Sequence, residues 1–425
     1  MGNVSERIRA RIFYGWVVLG ACFVISMVSG SLFYSRGVFL PAMSDEFGGS
    51  RFAVALAFTI AHAGGALSAP FIGRALDLWS ARRILLMGTV LVSVGYFLAS
   101  LAPSILVIYA VFGLILSVGW ASISSFSTSK VVVRWFKRRR GLALSLDVAG
   151  ASVAGIFIPP IAAWLLLNFG WRGGYVILGV VVVIILVPII LLFIKDPSET
   201  GDTTDGICAP SPSAGVASPV GEDEKFWSTR ELLRSPSFWG IVILFSGMVC
   251  VFQGLGLHLY GHLEDSGMGA YEASIVLSVM AALIASGKPL LGWLADLLGP
   301  RMSILISLVC QMIGIILFSL AHEKSAFLIA AVIYGFGLSG MAPLRNMALA
   351  SAFGSQSYGS AYGLMQPLSL PIVLLASPIA GFVYDELGSY VLAFQIFLVI
   401  LLVTAPMLYF IKSDDRAEQE VAVRV

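Results

Sequence analysis

The chain has 425 residues, of which 58% are hydrophobic and 12% charged, about half the charged share of a soluble domain. Polar residues are too few to cover a water-exposed globule, and a net charge of +2 leaves no electrostatic footprint for nucleic acid. The apolar residues gather in runs of roughly 20, the length that crosses about 30 Å of hydrocarbon as a helix. Backbone groups facing lipid must pair within their own segment, so the runs are read as helices and the fold class as an all-α membrane protein.

In chain order the runs predict about twelve spans. The first covers Tyr14 to Pro41, followed by Ala53–Leu76, Ile84–Leu101, Ile105–Val133, Gly141–Phe169 and Tyr175–Ile194. The second set covers Phe238–Leu263, Tyr271–Ala295, Ile304–Ala321, Phe327–Ala352, Tyr362–Tyr384 and Tyr390–Ile411. Arg7, Arg9 and Arg11 precede a first run too long for a secretory signal core. Between the two sets, Asp196 to about Pro236 is rich in Pro, Ser, Gly and Thr and reads as a flexible tether. The expected organisation is therefore 1–195 as one six-helix bundle, 196–235 as linker and 236–425 as a second bundle with a short tail.

Lys and Arg resist translocation, so their distribution orients the chain. Arg7, Arg9, Arg11, Arg82, Arg83, Arg134, Lys137 to Arg140, Lys195, Lys225, Arg230, Arg234, Arg301 and Lys412 share one side if the spans alternate. The other side holds little beyond Arg51, Arg172 and Lys324, with acids such as Asp45, Glu264, Asp265 and Asp385. Both termini and the linker are expected to be cytoplasmic. Cys22, Cys208, Cys250 and Cys310 follow no metal or disulfide spacing.

An internal repeat joins the two sets. GRALDLWSARR begins at Gly73 after span two, and GWLADLLGPR begins at Gly292 after span eight. Each reads G-x-x-x-D with a basic end: Gly73, Asp77, Arg82 and Arg83 in one copy, Gly292, Asp296 and Arg301 in the other. The acids are expected to pair with the nearby bases, and the glycines to permit close helix approach. This signature resembles the loop motif of the major facilitator superfamily. The resemblance implies two pseudo-symmetric six-helix bundles that open a central cavity alternately to each side.

Further stretches narrow the likeness: FYGWVV and GVFLPAMSDEFG in span one, RWFKRRRGLALSLDVAGASVAG between spans four and five, HLYGHLEDSGM in span seven, GKPLLGWLAD in span eight and SPIAGFVYD in span eleven. Together they resemble the bacterial monocarboxylate and oxalate/formate branch. That branch implies a substrate-holding Arg in span eight, where this chain has Lys288. Its proton-coupled animal members imply an Asp one turn earlier, where this chain has Ile284; the oxalate type implies a span-eleven cation, where this chain offers Tyr362 and Gln366. These departures remove an Asp–cation pair for proton coupling and a dianion clamp from what the likeness carries over.

An ionisable group inside a span costs at least about 2.5–3.5 kcal/mol and is read first as functional. Lys288 lies eight residues, about 12 Å, before Asp296, and is the expected carboxylate anchor. Arg345 in span ten is a second substrate cation, a gate, or a partner for Asp147. Arg36 lies about 33 Å beyond Tyr14 and is expected at the outer entrance. Tyr34 falls near the family's span-one substrate position. Lys130 is expected at the membrane interface. Asp147 reads as a partner of the basic run or of Arg345, with a proton carrier as its alternative. His258 is a candidate for substrate or proton, His62 a core histidine and His262 a surface one. Trp120, Tyr334, Tyr362 and Gln366 are candidates for shaping the cavity.

No nucleophile–base set, metal cluster or phosphate loop supports an enzyme, and no cofactor is expected. The reading is a monomeric secondary transporter in a bacterial inner membrane. It moves a small organic anion, with or without a proton. The alternatives are proton-driven export of a neutral or amphipathic compound, and a transporter-like membrane sensor of carboxylates.

Overall fold

In the computed structural model the described residues are 13–136, 140–195 and 227–411. Eleven stretches among them are helical, long and apolar enough to cross a membrane. One of these, Leu146–Phe193, reverses at Gly170 and so holds two spans, giving twelve. At Gly170 φ is 67° and ψ is 175°, a conformation that L side chains rarely adopt, so one glycine lets the chain reverse there.

The helices are numbered by crossing. In the first half, α1 is Tyr14–Glu46, α2 is Arg51–Leu78, α3 is Ala81–Ser100 and α4 spans 105–135; α5 and α6 together make Arg140–Phe193. In the second, α7 is Pro236–Asp265, α8 Ala270–Leu298, α9 Pro300–Leu320, α10 Lys324–Phe353, α11 Ser360–Leu387 and α12 Val391–Phe410. Helix α4 is irregular, with a π turn at Val111–Leu116 and a break at Ser124, where ψ reaches 166°. Ser124 and Ser127 both donate to the Ala121 carbonyl, which satisfies a group the break frees from the helix ladder. Helices α1 and α5 approach closely because Gly150 faces the Phe23 carbonyl, which a Cβ would strike.

The repeat has a physical counterpart on the side of the termini. Arg82, after α2, donates to the Ile194 carbonyl at the end of α6, 2.9 Å away. Arg301, after α8, donates to the Ile411 carbonyl at the end of α12. In each half, then, a guanidinium from the motif meets the carbonyl end of the last helix, where the helix dipole favours a cation. Lys130 and Arg134 of α4 do the same for α2, donating to the carbonyls of Gly73 and Leu76. Lys130 therefore sits at this helix end. Arg83 is exposed. The side chains of Asp77 and Asp296 lie outside the described ones. Gly292 has open space where a Cβ would stand, so close approach does not account for that glycine.

Within the stretch read as a flexible linker, 196–226 lies outside the described residues. The remainder carries order that its composition did not show. Ser228 and Glu231 form a capping box for the helix Thr229–Arg234, Leu232 is buried, and Trp227 packs edge-on against Phe353.

The side away from the termini is held by charge. Arg172 binds Glu46 and the carbonyls of Ser100 and Ala102, tying three loops of the first half. Between the halves, Arg51 makes two bonds to Asp265, at 2.6 and 2.9 Å, donates to the Tyr390 hydroxyl and lies 3.8 Å over the Tyr384 ring. Asp385 of α11 accepts from Ser50 Oγ and from the backbone N–H groups of Arg51 and Phe52, at 2.7, 2.8 and 3.0 Å. A carboxylate of the second half thus caps the first turn of α2 in the first half. Asp385→Ala should weaken this closure by roughly 1 kcal/mol, a capping loss, or about fivefold in population. The check is the reaction rate of a Thr59→Cys reporter with an impermeant thiol reagent, in a chain lacking the four native cysteines. An unchanged rate from the far side would show that the cap does not hold this face shut.

Candidate functional site

Helix α1 continues through Pro41 to Glu46, so Arg36 lies ten residues, about 15 Å, inside its far end. The expectation of an outer entrance role is corrected by that length. Arg36 is 8% exposed, and its Nη2 donates to Gln253 Oε1 of α7 at 2.7 Å. The guanidinium lies 3.9 Å over the Phe33 ring. Its Nε–H is buried without an acceptor, and among the described residues it has no carboxylate partner.

Two adjoining cavities share Arg36 and Phe58. One, of about 60 Å³, is walled by Phe33, Tyr96, Phe112, Trp120 and Tyr175 and is set in the first half alone. The smaller one lies between the halves, bounded by Thr59, His62, Gln253 and Ser377. His62 is therefore no ordinary core histidine: it lines this space, and its Nδ1 has no hydrogen-bond partner. The sequence reading missed Gln253 and misplaced His62. Gln253 was legible as a polar residue midway along an apolar run, by the same reasoning that singled out Lys288.

Lys288 of α8 reaches across the halves to Ser152 of α5, with Nζ 2.7 Å from Oγ, and has no carboxylate partner among the described residues. Tyr34 packs at the same α5/α8 seam, its ring against Gly155 and close to where Ala281 stands. Arg345 donates to the Tyr362 hydroxyl at 3.2 Å and lies 4.9 Å over that ring, while Gln366 donates to the same hydroxyl at 3.0 Å. These three form one polar cluster between α10 and α11. Of the sequence candidates, Trp120 shares the cavity with Arg36, while Lys288 with Tyr34 and Arg345 with Tyr362 and Gln366 occupy two other places.

Asp147 was expected beside Arg345 or the basic run, and the run's side chains at 137–140 lie outside the described ones. Among the described residues it is fully buried among hydroxyls: Ser26 donates to Oδ1 at 2.8 Å, and Thr128 and Ser129 to Oδ2 at 2.9 and 3.0 Å. The reason is helical phase: the face of α5 that carries Asp147 packs on α1 and α4.

His258 faces neither cavity. Both its ring nitrogens are engaged: the Ser377 carbonyl accepts from Nε2 at 2.9 Å, so Nδ1 accepts from the Tyr390 hydroxyl at 3.1 Å. It supports the Arg51 cluster from inside the second half. His262 is buried, not at the surface, and bonds the Phe318 carbonyl. Tyr334 is buried within the second half against Phe318 and Gly314, and lines no described cavity. No group of three or more potential metal ligands occurs among the described residues.

This architecture is shared with known proteins. The sequence matches the Major Facilitator Superfamily over residues 19–373 and, in a second match, 264–424. It is 30% identical over 397 residues to human monocarboxylate transporter 11, covering 90% of this chain and 79% of that protein. It is 25% identical to human monocarboxylate transporter 2, covering 89% and 81%. It is also 25% identical to an uncharacterized MFS-type transporter of Bacillus subtilis, covering 89% and 90%. A bacterial homolog of the human lysosomal transporter Spinster has the same fold, with a TM-score of 0.72 at 16% identity over 93% of this chain and 96% of that one. The chain is a multi-pass membrane transporter, not an enzyme, and belongs to the monocarboxylate-transporter-like branch of the major facilitator superfamily.

Proposed function

We propose that this transporter carries a small organic anion of the monocarboxylate class across a bacterial inner membrane by alternating access, with its termini on the cytoplasmic side. Residues 1–195 and 236–425 are the two moving bodies. The observation that carries the reading is Arg36, a buried guanidinium on a cavity wall with an unsatisfied Nε–H and no carboxylate partner among the described residues. A fixed charge at that depth is costly, and a substrate carboxylate offers two acceptors in the geometry a guanidinium prefers. Lys288 is the second cation of the path. A carboxylate that reached it would replace Ser152 as its acceptor. The names of the relatives support the substrate class.

Coupling is assigned to Asp147. A carboxyl held by three hydroxyls, with no cation partner among the described residues, is suited to exist in two protonation states. It shares α5 with Ser152, the partner of Lys288, so a change of charge at one position bears on the helix that presents the other.

Two expectations follow from these assignments. Across a panel of monocarboxylates, one at 100 times its dissociation constant should stabilise the purified protein by about 2.7 kcal/mol in thermal unfolding. Arg36→Ala should abolish that gain, while Lys288→Ala should reduce it. Stabilisation that survives Arg36→Ala unchanged would move the anion elsewhere. In proteoliposomes, one proton per anion lets an inward gradient of one pH unit support about tenfold accumulation of that same acid. Asp147→Asn should abolish this accumulation yet retain exchange of labelled for unlabelled acid. Equal accumulation by the variant would exclude Asp147 as the coupling group.

A further inference from the structure

The shape of the Arg36 cavity says what the anion's other end is made of. We propose that the transported molecule is an aromatic monocarboxylate, its carboxylate on Arg36 and its ring in the adjoining cavity of the first half. This rests on the anion reading above and specifies it. At about 60 Å³ the cavity is several times the roughly 10–15 Å³ that a single water needs. The walls are chiefly ring faces and edges: Phe33, Phe58, Phe112, Trp120 and Tyr96. Such walls favour another ring through offset and edge-on contacts beyond simple area burial. Arg36 is the one charged residue of the lining, whose other polar groups are those of Ser35, Tyr96, Tyr175 and Trp120, so the cavity sets a cation beside ring surface, the two features that an arylcarboxylate would engage.

The geometry also separates this cavity from the rest of the transport path. It is built by the first half alone, from α1, α2, α3, α4 and α6. Lys288 and the Arg345 cluster do not line it. A ring bound there would be carried by one half, with its carboxylate where Arg36 meets Gln253 of the other half. Ala61 is the small residue of the wall, and a larger side chain at that position would take up the ring's place.

The test uses four probes, benzoate, phenylacetate, acetate and lactate, each titrated against the purified full-length protein with thermal stabilisation as the readout. Benzoate or phenylacetate should half-saturate at a concentration at least about tenfold below that of acetate and lactate, from the ring area removed from water. Ala61→Phe should weaken the two aromatic acids about tenfold and leave acetate unchanged, and Trp120→Leu should act in the same direction. Two results would overturn the aromatic assignment while leaving the anion reading intact. One is acetate or lactate binding as tightly as benzoate; the other is Ala61→Phe weakening all four acids alike. If none of the four acids stabilises the wild type, or if their effect survives Arg36→Ala, the anion reading itself fails and the aromatic assignment falls with it.

Discussion

A guanidinium cannot stand unpaired in hydrocarbon, and the site is organised around that constraint at Arg36. Three partners share the cost: the Gln253 oxygen, the Phe33 ring face and the cavity beside them. None of them carries a negative charge. The protein therefore holds a cation that is stabilised enough to fold but left short of one anion. The same pattern recurs, more weakly, at Lys288, whose acceptor is a serine hydroxyl. Asp147 is its mirror image, a carboxyl surrounded by hydroxyl donors. Among the described residues these intramembrane charges stand apart from opposite charges, which leaves them available to something that moves.

Ion pairs occur where movement must be resisted. Arg172 with Glu46 fixes loops inside the first half, and Lys324 with Glu272 joins the start of α10 to the start of α8 in the second. Arg51 with Asp265 crosses between the halves. That last pair is only partly shielded from water, so its Coulomb attraction is modest taken alone. Its strength comes from company: the bidentate geometry, the Tyr390 hydroxyl, the Tyr384 ring and the Asp385 cap on α2 act on one short segment. His258 stands behind this group as a neutral hydrogen-bond relay from Tyr390 to the Ser377 carbonyl, which explains a buried histidine without giving it substrate.

Much of this was legible in the sequence, for physical reasons that also mark where legibility ends. Span count and the repeat follow from hydropathy and from two copies of one motif, and both survive in the structure as twelve helices and the paired Arg82 and Arg301 contacts. Lys288 and Asp147 stood out because charge in a span is costly. Their partners did not, because partners depend on helical phase and on which helices pack together, and one sequence shows neither. Arg36 was misplaced for a simpler reason: the first span ends at Glu46, not at Pro41, and five more residues of helix move Arg36 from near its end to about 15 Å inside it. His62 and Gln253 come from α2 and α7, in different halves, and nothing local in either segment points to the other.

The position of Gln253 connects the site to the closure above it. Its bond to Arg36 is a link between halves, and one residue further along α1, Gly37 meets the Leu257 carbonyl of α7 so closely that a Cβ would sit 2.9 Å from it. The α1–α7 junction is thus sealed by backbone proximity and by one charged side chain holding one neutral amide. On the proposed reading, a carboxylate that takes Arg36 competes with that amide for the same guanidinium. A charge-assisted pair outweighs the bond to a neutral oxygen, so binding would release Gln253 and remove a tie between the halves directly beneath the Arg51 cluster. Differential contact of this kind is what a ligand needs in order to shift a conformational equilibrium. A single uncompensated cation would then select the anion and also loosen the joint that must open to let it pass.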